Sequence, residues 1–144
     1  MNTEIQSTTQ NSKDTAGKSV LLVGLDPTLV DFSDPASAAS PDLTAARVMA
    51  GVTADQERLK AIGYEASICL IDFGETAESV VLAQLKQKQF DCIMIGASVR
   101  EIPTHFILFE KLINLVHEHA PHARFCFNTK TKPSDVAEAV RRWI

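Results

Sequence analysis

Four histidines and three cysteines are the residues most able to do chemistry in this 144-residue chain. His117, His119, His122 and Cys126 crowd one short stretch, and these are the residue types of a transition-metal site. The spacing argues against one. His117 and His119 stand two apart on a helical segment, so they project in different directions, and Pro121 separates His119 from His122. The reading is therefore histidines at a helix end, facing its negative terminus, and no metal is expected. Gly96-Ala97-Ser98-Val99-Arg100 has half of a nucleophile elbow, with His105 nearby as a base for acyl transfer. Arg100 replaces the second glycine, and Glu101-Ile102-Pro103 delays the helix that should present the serine. Ser98 is expected instead to hydrogen-bond a ligand or the backbone. Gly17-Lys18-Ser19 ends like a phosphate-binding loop, but it precedes a strand, so no helix N-terminus follows to cradle a phosphate.

A second set of polar residues gains meaning from its position after apolar runs. Asp26, Asp72, Ser98 with Arg100, and Asn128-Thr129-Lys130 each follow such a run. Together they have the chemistry to hold a polar or anionic small molecule. The same residue types also serve turns and helix caps in any α/β protein, and both readings stay open. These residues identify no particular ligand or cofactor.

The apolar runs are Ser19–Gly24, Glu65–Ile71, Asp91–Ile95 and Arg124–Phe127, each short, rich in Val, Ile, Leu, Phe or Cys, and bounded by turn residues. That is the pattern of strands buried on both faces. Between them, 43–62, 75–88, 104–120 and 134–144 carry apolar residues at helical spacing. The expected architecture is three-layer α/β/α, with a four-stranded parallel sheet in the order 2-1-3-4, flavodoxin-like or Rossmann-like. Ligands of such sheets bind beyond the carboxyl ends of the strands, where the polar residues gather. Residues 26–42 form an unusually long connection at that edge, with three prolines, four aspartates and no basic residue, either a lid or a surface insertion.

Composition sets the remaining bounds. The chain is 45% hydrophobic and 22% charged with a net charge of -4, so it lacks the positive surface of a nucleic-acid or polybasic membrane binder. No apolar run approaches the ~20 residues of a membrane helix, and the polar N-terminus lacks a signal sequence. Cys69, Cys92 and Cys126 lie in apolar runs without a C-x-x-C pair, which suits buried thiols and a cytoplasmic setting. Residues 1–18 are expected to be a disordered tail, and 19–144 a single domain.

By strand order and size, residues 19–144 resemble the receiver domain of response regulators. Where a receiver has two adjacent acids after its first strand, this chain has Asp26 alone. Where it has a phosphorylatable Asp after its third, this chain has Gly96, Ala97 and Ser98. Lys130 matches the receiver lysine. The rhythm of RLKAIGYEASICLIDFGETAESVVLAQLKQKQFDCIMIGASV is also similar to cobalamin-binding domains, but Asp26-Pro27-Thr28-Leu29-Val30 has no cobalt-ligating histidine. The resemblance implies a regulatory or protein-interaction module that accepts no aspartyl phosphate. Phe106, Phe109, Leu112, Ile113 and Val116 belong to a helix apolar nearly all round, so a homodimer interface is expected there. A small-molecule or nucleotide-binding domain is the alternative.

Overall fold

The computed structural model of the chain describes residues 17–34, 43–129 and 133–144. The expected tail up to residue 16, residues 35–42 of the long connection, and Lys130 lie outside the described residues. Strand β1 (Ser19–Leu25) leads into a 3-10 turn (Pro27–Leu29) and, beyond the connection, helix α1 (Ala45–Ala61). Then come β2 (Glu65–Ile71), α2 (Ala77–Gln87), β3 (Cys92–Ile95) and the single-turn helix α3 (Ala97–Arg100). A 3-10 turn (Pro103–His105), α4 (Phe106–His119), β4 (Arg124–Cys126) and α5 (Val136–Arg141) complete the order. The four strands are all parallel, in the order β2-β1-β3-β4, with helices on both faces. This is the flavodoxin-like or Rossmann-like three-layer class.

Strand alternation divides β1 between two cores. Leu21, Val23 and Leu25 join Ile93, Ile95, Val81, Leu108, Leu112 and Val116 on the face covered by α2 and α4. Val20 and Leu22 join Met94, Leu59, Val136 and Val140 on the face covered by α1 and α5. Both faces of β1 and β3 are thereby dry, which is why these strands read as continuous apolar runs. Helix α1 starts where the Thr44 hydroxyl accepts the Arg47 amide at 3.2 Å. It ends at Gly63, whose φ of 109° only glycine adopts without strain.

Several expectations change. At the start of the described residues, Gly17 N–H donates to Gly63 O at 3.1 Å, and Lys18 O accepts Glu65 N–H at 2.8 Å, beginning the ladder. The helix after strand three is not delayed. It starts at once as α3, with Gly96 O accepting Val99 N–H at 3.0 Å, and stops because Pro103 forces Ile102 into an extended conformation. Pro103 then opens the turn that leads into α4. At the C-terminus Trp143 is 51% exposed and Ile144 is buried. The chain tightens there, with the amides of Trp143 and Ile144 both bonding Val140 O at 3.1 Å, which turns Ile144 inward.

Helix α1 departs most from its pattern. Of its apolar residues only Leu59 is fully buried; Val48, Met49 and Val52 are half-buried. The C-terminal half of α1 is seated on the sheet and the N-terminal half is not, and a crevice opens beneath it.

Candidate functional site

The carboxyl ends of the strands bring Asp26, Asp72, Ser98, Arg100, Asn128 and Thr129 to one edge of the sheet, as parallel connectivity requires. Most of their polar groups are already engaged by the chain itself. Asp26 caps the first 3-10 turn: its Oδ1 accepts the Thr28 amide at 2.9 Å and the Thr28 hydroxyl at 2.7 Å. Asp72 holds the entry to α2, accepting from the amides of Gly74 at 3.0 Å and Thr76 at 3.0 Å, and from the Thr76 hydroxyl at 2.7 Å. The Thr76 hydroxyl, followed by the Gly74 amide, keeps the Asp72 carboxyl below its ordinary range.

Arg100 is the most constrained of the set. Its Nη1 donates to Ile95 O at 2.7 Å and to Asn128 Oδ1 at 3.1 Å, and its Nη2 donates to Asn128 O at 2.6 Å. The guanidinium carbon lies 5.1 Å from the centroid of the Phe127 ring, and the side chain is only 13% exposed. One cation thus ties the end of β3 to the segment after β4, supplying the carbonyls that the ladder leaves open where the sheet ends. Thr129 is tethered in turn, its amide and hydroxyl donating to Asp135 at 2.8 and 2.7 Å. Slight burial raises the Asp135 pKa, but those two bonds, with the Asp135 amide and the charge of Arg142, outweigh it and hold the carboxyl low.

Ser98 is exposed, and the contact that the His105 ring makes with it is to the main chain. His105 Nδ1 lies 3.0 Å from the Ser98 backbone carbonyl, an acceptor, so this nitrogen carries the proton and cannot act as a base there. The ring also packs 5.4 Å from Phe73, in the loop after β2. His119 lies 3.6 Å from Glu118, and Cys126 is buried. Among the described residues no group of three or more His, Cys, Asp or Glu could hold a metal ion. Among them, too, no helix is long and apolar enough to cross a membrane.

What the residue types did not reveal is the crevice under α1, about 180 Å³ in volume, at the reversal of strand order between β1 and β3. Val48 and Val52 roof it, Leu22, Ile68, Leu70 and Met94 floor it, and Ser98 and Asn128 reach its rim. Gly24 lines it as well, and a Cβ built there would meet nothing within 4 Å. Asp55 supplies the charge in its wall; burial, opposed by a bond from Ser134 and by Arg58, raises its pKa. The signal was present in the sequence, since Asp55 interrupts the apolar stripe one turn after Val52. A larger cavity, about 340 Å³, lies at the opposite edge between the ends of α2 and α4, lined by Lys86, Lys88, His119 and His122 among others. Neither its position nor its lining connects it with the strand-end residues.

Of the residues expected at a dimer interface, Leu112 and Val116 are 1% exposed and belong to the molecule's own core. Phe109 and Ile113 are half-buried against that core, Phe109 edge-on to Phe127 at 6.1 Å. Three of the exposed apolar side chains gather at the start of α4 and beside it, Phe106 at 57%, Ile107 at 56% and Phe73 at 50%, while Leu29, Ile62 and Trp143 are exposed elsewhere.

Fold and site define an α/β protein with a parallel sheet, a polar edge held by its own hydrogen bonds, and an apolar crevice at the switch point. No family model matches the chain, and no curated protein matches it in sequence.

Proposed function

We propose that the chain is a non-catalytic, receiver-like module that works through contact with protein, in the first place a second copy of itself. The engagement of the strand-end groups carries this reading. The two carboxylates hold turns, Arg100 bonds two carbonyls, and the side chains left most exposed beside them are Phe73, Phe106 and Ile107. Large apolar groups clustered at one end of a helix are what an isologous contact uses. The surface available to it is the start of α4, with Phe109 and Ile113 at its margin. Sedimentation across a hundredfold range of concentration tests the reading. A reversible dimer that Phe106→Asp dissociates supports it, and a monomer at every concentration sinks it.

A specific observation favours a second reading. The crevice beneath α1 has the apolar lining and switch-point position of a small-molecule site. Its ligand would be a small apolar group with a donor facing Asp55. A thermal-shift screen of nucleotides, flavins and small amines separates the two readings, because only this one expects stabilisation by a small molecule.

A further inference from the structure

Cys92 and Cys126 are 34 residues apart in the chain, on neighbouring strands, and their sulfurs lie 3.2 Å apart. Both thiols are free and almost fully buried, and Cys92 Sγ–H donates to Cys126 Sγ. Tyr64 packs in the same core, 3% exposed, and its hydroxyl is buried without a hydrogen-bond partner. An orphaned hydroxyl in such a core is costly.

We propose that Cys92 and Cys126 are a reversible dithiol–disulfide pair, oxidised by small hydroperoxides when the β4 edge of the sheet opens. Ladder register shapes the outcome. Cys92 pairs with Arg124 and Met94 with Cys126, so the two cysteines are diagonal neighbours. Two residues of rise and one strand spacing set their Cα atoms about 8 Å apart, beyond the ~4.4–6.8 Å of relaxed disulfides. Closing the sulfurs from 3.2 Å to a bond of about 2.05 Å therefore drags β4 along β3. The bond is strained and readily reduced, the property of a switch and not of a structural staple.

Burial keeps the Cys92 thiol protonated, its pKa raised by the contact with Cys126 and by desolvation, so reaction requires opening. The edge is suited to that: β4 has three residues and α5, which covers Cys126, has six. In the opened form the Cys126 thiolate attacks the distal oxygen of the hydroperoxide. A sulfur–oxygen bond forms, the oxygen–oxygen bond breaks, and the alcohol leaves with the proton. The Cys92 thiolate then attacks the sulfenic sulfur; the disulfide forms and the oxygen departs as water, taking up the remaining proton. Two thiols and one hydroperoxide give one disulfide, one alcohol and one water.

The test incubates the full-length native chain with hydrogen peroxide, using glutathione in the same tube as an accessible thiol, followed by denaturing alkylation and peptide mapping. The expected result is loss of two of the three thiols, a Cys92–Cys126 cross-linked peptide, and full reversal by dithiothreitol. Emission of Trp143, the sole tryptophan and two residues past α5, should shift with oxidation. Three alkylated thiols after the glutathione is consumed overturn the proposal, as does a cross-link through Cys69 or oxidation beyond the disulfide at a single cysteine.

Discussion

Replacing Arg100 by alanine tests the claim that this residue holds the sheet edge together. The substitution removes three bonds to Ile95 O, Asn128 O and Asn128 Oδ1, at 2.7, 2.6 and 3.1 Å, and leaves two main-chain carbonyls without this donor. A hydrogen bond from a charged donor contributes about 1.5–3 kcal/mol net, and water entering the vacated space recovers part of that for each carbonyl. The cation over Phe127 adds about 0.5–1 kcal/mol. The pair with Glu101 at 3.3 Å adds little, because Glu101 is solvated. The expected loss is about 3 kcal/mol, read from urea unfolding as a lower midpoint at unchanged slope, with Tm lower by roughly 9 °C. Arg100→Lys should recover less than half, since an ammonium cannot fork between Ile95 and Asn128. If Arg100 were instead a ligand-binding cation, its removal would leave unfolding nearly unchanged. A loss below about 1 kcal/mol refutes the clamp.

Leu59→Ala should cost about 3 kcal/mol in urea unfolding, because Leu59 alone fastens α1 deep in the core, whereas Val52→Ala at the half-buried crevice roof should cost well under half of that. Asp72→Ala should destabilise at neutral pH and not at acid pH. The folded carboxyl titrates below its ordinary 3.8, so its stabilisation is present above that value and lost as pH falls through the folded pKa. Asp55→Asn should do the reverse: with the folded pKa raised above 3.8, the charged form weakens the fold, and the variant gains midpoint at pH 7 but not at pH 3. Phe106→Ala should weaken self-association measured by sedimentation while leaving the urea midpoint nearly unchanged, since the ring is 57% exposed.

How much of this was legible beforehand depended on whether the determining interactions were local. The β2 limits, Glu65–Ile71, match the expected run, and the remaining strand and helix ends shift by up to three residues. Strand alternation acts within a few residues of itself, so its signal lies in the order of the letters, whereas Pro103 was read as delaying a helix that it instead ends. The order 2-1-3-4 followed from the lengths and handedness of parallel crossovers. Asp26, Asp72, Ser98, Arg100, Asn128 and Thr129 lie at the carboxyl edge of the sheet, because parallel connectivity leaves them no other place. Their occupation was not legible. Aspartate after a strand looks the same whether it greets a ligand or caps a turn, and only the positions of the Thr28 and Thr76 donors distinguish the two.

The tertiary structure decided what distance in sequence conceals. Arg100 reaches Asn128 across 28 residues, and Cys92 meets Cys126 across 34, with no local pattern announcing either pair. The apolar circumference of α4 overstated what it offers a partner, since α2 and the sheet bury Leu112 and Val116 inside the molecule. The stripe on α1 overstated its burial, since the helix is seated at Leu59 and stands away from the sheet at Val48 and Val52. Periodicity states which face of an element is apolar. How far that face is closed depends on the angle at which the element crosses its neighbours, which is a property of the assembled packing and not of the segment.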